Sequence, residues 1–209
     1  MQQAVREAVK RGAGPERLLL LEHPPVYTLG RNASAADVLA APEWLAARGI
    51  EVAECDRGGQ VTYHGPGQLV GYPVVNLSPD RRDVRRYVRD LQEVLIRTLA
   101  DYGVAAQVRD GQAFVGVWAG DDKIASIGVH LSRWITTHGF ALNVATDLSH
   151  FAGIIPCGLH GVGMTSIERL TGARPTLAAV AGVCARHFAA VFDRAAVAAE
   201  PAMPVDAAR

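Results

Sequence analysis

Apolar residues recur along this chain with two spacings, one typical of helices and the other of strands. The helical spacing of three and four residues is clearest between Ser78 and Gly103, where Val84, Tyr87 and Leu91 begin a long apolar face. Further helices are predicted at residues 2–11 and 176–194, with short helical turns at residues 42–48 and 147–151.

Strand-like runs occupy much of the remaining chain, at residues 17–22, 26–29, 50–55, 61–63, 68–75, 104–109, 114–118, 123–130 and 135–144. Strands and helices do not alternate as βαβ units, so the predicted class is α+β. We expect a single domain with a mixed, mostly antiparallel sheet flanked by helices. It is expected to span residues 1–195, with residues 196–209 as a frayed tail.

Composition narrows the classes of protein that the pattern allows. The chain has 209 residues and a formal net charge of zero, which argues against a general nucleic-acid binder. No run of eighteen apolar residues predicts a membrane span, and the first residues are charged rather than typical of a signal segment. Three widely spaced cysteines without a C-x-x-C pair favour the reducing cytoplasm and argue against a zinc site.

Residues 57–68 (RGGQVTYHGPGQ) concentrate glycine between two strand-like runs. One interpretation is a hairpin that only turns the chain. The other is a loop on which a ligand lies against the backbone, favoured by the polar side chains of Arg57, Tyr63 and His64. The loop matches neither the P-loop pattern nor G-x-G-x-x-G, so a nucleotide site is weakly supported.

One cysteine lies where a nucleophile would be presented. Cys157 lies in a turn between Pro156 and Gly158, whereas Cys55 and Cys184 are expected to be small core residues. A reactive thiol needs a nearby cation or base, and Lys123 and His160 are the two candidates. The chain has few lysines among many arginines, which favours for Lys123 a role that the permanently charged arginine cannot fill.

The long predicted helix carries a basic outer face that allows two interpretations. It is either a solvated surface offset by nearby carboxylates or a docking patch for an acidic partner. The arginines concerned are Arg81, Arg82, Arg85, Arg86 and Arg89, and the carboxylates are Asp83, Asp90 and Glu93.

Five segments together resemble a known family. They are residues 20–31 (LLEHPPVYTLGR), 57–73 (RGGQVTYHGPGQLVGYP), 123–129 (KIASIGV), 137–144 (THGFALNV) and 156–158 (PCG). The resemblance is to the octanoyltransferases of lipoate biosynthesis, the octanoyl-[acyl carrier protein]:protein N-octanoyltransferases or lipoyl transferase B family. It covers the whole predicted domain, although relatives usually have a further strand before the first helix.

The resemblance implies the fold of the biotin and lipoate protein ligases and a transfer reaction in two steps. Cys157 would take an octanoyl group from octanoyl-acyl carrier protein as a thioester, with Lys123 activating the thiol and moving protons. The acyl group would then pass to a lysine ε-amine on lipoyl domains of 2-oxoacid dehydrogenase E2 subunits and on glycine cleavage H protein. Neither ATP, metal nor another cofactor is implied, because a thioester already carries an activated acyl group.

The family resemblance also implies which residues line the acyl site. They come from three segments: Arg57, Gly58, Gly59, Gln60, Val61, Thr62, Tyr63 and His64; Ser126, Ile127 and Gly128; and Gly139, Phe140 and Ala141.

Two rival functions remain open on the sequence. An ATP-dependent lipoate or biotin ligase would share the fold but would need several cations around an adenylate, whereas the glycine-rich loop has only Arg57. A non-catalytic module that binds acyl or lipoyl groups would leave Cys157 no more reactive than Cys55 or Cys184.

Overall fold

The fold combines helices with two β-sheets in a computed structural model that describes residues 1–111, 114–156 and 161–198. The helices are α1 (Gln2–Lys10), α2 (Pro42–Ala47), α3 (Val84–Ala100), α4 (Ile167–Thr171) and α5 (Leu177–Phe192). The strands are β1 (Arg17–Leu21), β2 (Val26–Leu29), β3 (Glu51–Glu54), β4 (Val61–His64), β5 (Gln68–Val74), β6 (Gly116–Ala119), β7 (Asp122–Ser132) and β8 (Ile135–Asn143). Within these ranges, no helix combines the length and apolar character needed to cross a bilayer.

The strands divide between a large and a small sheet. The large sheet is antiparallel with the order β1-β5-β8-β7-β6, and the small one has the order β3-β2-β4 with β2 and β3 parallel. The chain passes from the small sheet to the large one at residues 65–67, between β4 and β5. The predicted α+β class with mostly antiparallel pairing is confirmed, and the strands predicted for one sheet form two.

Each sheet has its own apolar core. Helices α3 and α5 pack together over the large sheet, where Leu91, Leu95 and Cys184 are fully buried. The smaller core gathers Tyr27 and Phe151 beside the small sheet. Burying one large apolar side chain contributes roughly 1.5–3 kcal/mol, so both cores hold the sheets in place.

Helix α3 begins at Val84, the first residue of its apolar face, and later than the start predicted at Ser78. The predicted start at Ser78 is wrong, because the Asp83 side chain caps the helix by accepting hydrogen bonds from the N–H groups of Arg85 and Arg86 at 2.8 and 3.0 Å. Arg81 lies before the helix and is turned inward to Asp90, with an Nη1–Oδ2 distance of 2.7 Å. It therefore does not belong to an outer basic face.

Two other segments differ from their predictions. Residues 104–109 form no strand but a single bridge between Gln107 and Trp118, so this β-prone run pairs at one position only. Helix α4 was not predicted, although its Ser166 N-cap and the left-handed Gly172 at its end are ordinary signals for a helix. Most of the tail predicted to fray, residues 199–209, lies outside the described residues, and the domain bounds stay predictions.

Candidate active site

A cleft of about 720 Å³ lies between the two sheets. Its walls come from the glycine-rich loop and strands β4, β7 and β8, and helix α3 contributes Val88. The volume falls within the usual range for small-molecule sites, and much of the lining is apolar or glycine. The cleft therefore suits an elongated apolar group.

The glycine-rich loop bridges the two sheets through its backbone. The Gly58 N–H donates to the Val129 carbonyl of β7 at 2.9 Å, and the Arg57 carbonyl accepts from the Arg31 N–H, beyond the end of β2, at 3.0 Å. A Cβ on Gly128 would lie 2.8 Å from the Gly58 oxygen, so the close approach needs glycine. The loop is a wall of the cleft as well as a turn.

Arg57 is held against strand β2 and is mostly buried. Its Nη2 donates to the Thr28 carbonyl at 2.5 Å and to the Thr28 hydroxyl at 2.9 Å. The guanidinium thus anchors the loop and keeps a positive charge at the cleft wall.

The residues expected to line the acyl site lie together around this cleft, apart from Tyr63. Side chains alternate across a strand, so Tyr63 points to the opposite face of β4 from His64. Its hydroxyl contacts His150 Nδ1 at 2.7 Å, and its ring packs against Phe151 in the small core. The expectation that Tyr63 lines the acyl site is therefore corrected.

Lys123 is almost completely buried near the start of strand β7, with 1% of its surface exposed. Its N–H donates to the Gly163 carbonyl at 2.9 Å, and its carbonyl accepts from the Thr165 N–H at 3.0 Å. Its Nζ lies 5.5 Å from the ring centroid of Trp118. A Cβ on Gly116 would lie 2.4 Å from Lys123 Cε, so the missing side chain of Gly116 leaves room for the lysine.

Cys157 and His160 lie outside the described residues, so their roles stay predictions. Pro156 and Gly161, their neighbours in sequence, both line a second cleft of about 630 Å³. Asp122, which directly precedes Lys123 on strand β7, lines the same cleft.

A seam of buried polar residues crosses the molecule beside the cleft. His64 Nδ1 contacts Gln68 Oε1 at 2.8 Å, Gln68 Nε2 donates to Asn143 Oδ1 at 3.0 Å, and Asn143 Nδ2 donates to the Thr165 carbonyl at 3.0 Å. Thr165 in turn binds the backbone of Lys123. The sequence alone did not single out Gln68, Asn143 or Thr165, although Gln68 and Asn143 lie inside the segments that carry the family resemblance.

Burial controls the charge of the histidines beside the cleft. It lowers the pKa of His64 to about 3, so this ring is neutral near physiological pH. Burial also lowers the pKa of His23, which shares a hydrogen bond of 2.7 Å with the Tyr72 hydroxyl. The hydrogen bond from His138, at 2.6 Å, lowers the pKa of Asp56 and ties this residue, directly before the glycine-rich loop, to β8.

The two described cysteines differ in their surroundings. Cys184 is fully buried, as expected, and burial raises the pKa of its thiol to about 12. Cys55 is half-buried and lines the cleft, which corrects its expected place in the core. Among the residues that the structure describes, no group of three histidine, cysteine or acidic side chains is placed to hold a metal ion.

The fold matches that of a lipoate protein ligase. The bi-partite lipoate protein ligase from Thermoplasma acidophilum superposes with a TM-score of 0.73 at 17% identity, over 95% of this chain and 81% of that one. At this identity the likeness shows the fold alone. It confirms the expected α+β ligase architecture.

The sequence comparisons define the family. The family model described as the lipoyl protein ligase A/B catalytic domain matches residues 1–189, so the chain belongs to this family. A Myxococcus xanthus protein named octanoyltransferase is 50% identical over 94% of this chain, which spans 56% of that relative. A Solibacter usitatus octanoyltransferase is 51% identical over 92% of this chain and 86% of its own length. The family resemblance read from the motifs is confirmed.

Proposed function

We propose that this protein transfers an octanoyl group from a carrier-bound thioester to a lysine ε-amine of a lipoyl domain. The observation that carries the proposal is that one strand holds both the buried lysine and part of the cleft wall. Strand β7 holds the buried Lys123, and a few residues further along it Ser126 and Gly128 line the cleft. The identity of about half of all positions with octanoyltransferases supports the same reaction.

The first step forms an acyl-enzyme. The Cys157 sulfur attacks the thioester carbonyl, and the carbon–sulfur bond to the carrier breaks. Lys123 accepts the thiol proton as an amine and returns it to the departing carrier thiolate. The octanoyl chain lies in the cleft along Gly128, Gly139 and the glycine-rich loop, where no side chain blocks the backbone.

The second step forms the amide. The acceptor nitrogen attacks the acyl carbon, a carbon–nitrogen bond forms, and the bond to the Cys157 sulfur breaks. The excess proton of the amine passes through Lys123 to the leaving sulfur. Because the thioester supplies the activation, the reaction requires no ATP. Arg57, the cation that an adenylate would need in this loop, is bound to Thr28.

Helix α3 offers the surface on which an acidic acyl carrier protein would dock. Val88 lines the cleft, and Arg85 and Arg89 lie on the same side of the helix. Both arginines are exposed, and neither makes a hydrogen bond or salt bridge to another described residue. Arg82, by contrast, is bound to the Ser78 hydroxyl at 2.6 Å. We therefore assign the carrier contact to Arg85 and Arg89.

E2 lipoyl domains and glycine cleavage H protein are the acceptors in this proposal, and the cytoplasm is its location.

The test is a reconstitution with octanoyl-acyl carrier protein and a lipoyl domain, without ATP, followed by intact-protein mass spectrometry. We expect an octanoyl adduct on the enzyme, its transfer to the domain, and loss of both in Cys157→Ser. Modification that requires ATP and free octanoate would identify a ligase instead. If the domain stays unmodified and iodoacetamide labels Cys157 no faster than Cys55 or Cys184, the protein is a binding module.

A further inference from the structure

The buried polar seam determines which nitrogen of His64 carries the proton. Asn143 faces the Thr165 carbonyl, which only accepts, so its NH₂ group must point there at 3.0 Å. Its oxygen then faces Gln68, which must offer its own NH₂ group at 3.0 Å. The Tyr63 carbonyl, 3.1 Å from Gln68 Nε2, independently requires the same orientation.

The orientation of Gln68 leaves its oxygen as the group that meets His64. An amide oxygen carries no proton, so Nδ1 of His64 must donate across the 2.8 Å contact. Because the imidazole is neutral, Nε2 keeps its lone pair. This nitrogen makes no hydrogen bond to another described residue, and the ring lines the cleft.

An unprotonated acceptor in this cleft needs a donor, and the reaction offers few. Neither the octanoyl chain nor the thioester carbonyl has a hydrogen to donate, whereas the neutral lysine amine brings N–H groups on a nitrogen that becomes cationic as it attacks the acyl carbon. A protonated histidine would repel that cation, and a neutral acceptor attracts it. The bare Nε2 that the seam maintains therefore suits the lysine of the lipoyl domain better than the octanoyl thioester.

We infer that Nε2 of His64 accepts a hydrogen bond from the attacking ε-amine and aims its nitrogen at the acyl carbon. Gln68 and Asn143 are positioning residues that act through His64, since they hold the tautomer with the free lone pair. His64 takes no proton in this step, because the proton moves from the amine through Lys123 to the departing sulfur. The inference rests on the proposed octanoyl transfer.

The tautomer is tested on the unmodified protein, apart from any activity. Two-bond ¹H–¹⁵N correlation spectra of ¹⁵N-labelled protein distinguish a protonated from a bare ring nitrogen. We expect Nδ1 of His64 to be protonated and Nε2 to be bare, without change between pH 5 and pH 8, because its pKa lies near 3. A proton on Nε2, or a titration within this range, would overturn the inference.

The role is tested by separating the two half-reactions in two variants. The amide of His64→Gln reaches about as far as Nε2, whereas that of His64→Asn reaches only as far as Nδ1. We expect the ratio of amine transfer to Cys157 acylation to fall roughly ten- to hundredfold in His64→Asn, the effect of one hydrogen bond to a charged group. His64→Gln should retain more of this ratio. The matched control is His187→Asn on α5, where the half-buried ring contacts Asp101 away from the cleft.

An equal loss in both half-reactions, or no advantage of glutamine over asparagine, would refute the role of His64. If neither half-reaction occurs in the unaltered protein, the proposed function itself fails. The spectra still report the tautomer in that case, so the two failures are distinguishable.

Discussion

Replacing Lys123 by methionine tests the proposed chemistry most directly. The lysine side chain occupies a narrow slot beside Gly116 and Trp118, with 1% of its surface exposed. Methionine is unbranched and of similar length, so it fills the slot without the amine. Arginine is wider and would add overpacking of about 1–3 kcal/mol, which makes its loss of activity harder to interpret.

The expected loss follows from the proton transfers that both steps require. Removing a positioned general base costs on the order of 10²–10⁴ in rate. At 1.36 kcal/mol for each factor of ten, this corresponds to about 2.7–5.4 kcal/mol of activation free energy. Both acylation and amide formation should slow, since Lys123 carries a proton in each of them.

The assay is single-turnover kinetics followed by mass spectrometry. Octanoyl thioester is mixed with excess enzyme to measure acylation, and lipoyl domain is then added to measure transfer. Lys10→Met is the matched control, because Lys10 lies at the end of α1 and its ammonium pairs with Glu7 alone among the described residues. Thermal unfolding checks that both variants fold. Wild-type rates in both steps of Lys123→Met would refute the proton-transfer role and leave His160 as the next candidate base.

Three further outcomes are expected. Tyr63→Phe should lower the free energy of unfolding by about 0.5–1.5 kcal/mol, for one lost hydrogen bond, and leave turnover unchanged. A clear loss of turnover in a variant that still folds would place the Tyr63 hydroxyl at the active site. Gly67→Ala should cost roughly 2–5 kcal/mol in urea unfolding, because its φ is 80° and its Cβ would lie 2.3 Å from a backbone oxygen. Wild-type stability would contradict this. Arg85→Glu with Arg89→Glu should lower kcat/KM for carrier-bound octanoate on the order of tenfold at low salt, more than for a small thioester. Arg97→Glu, paired with Glu93 further along the helix, is the control, and equal effects on both substrates would argue against docking.

Much of the secondary structure and the family could be predicted from local pattern. The apolar spacing located α3 and α5, and the β-prone runs located most strands to within a few residues. Lys123 and the glycine-rich loop stood out because lysine is rare here and because glycine clusters between strands. These signals come from residues close together in sequence, where the geometry of helices, strands and turns restricts which residue patterns fit.

The tertiary structure alone decided which side chains of those segments meet. The contacts that define the site join residues far apart in sequence, such as Gln68 and Asn143, 75 positions apart. Strand alternation puts His64 and Tyr63 on opposite faces of β4, but only the packing of the two sheets decided that the face of His64 lines the cleft and that of Tyr63 the small core. Local pattern cannot specify such contacts, because sheet order and the packing between sheets are determined by the whole chain at once.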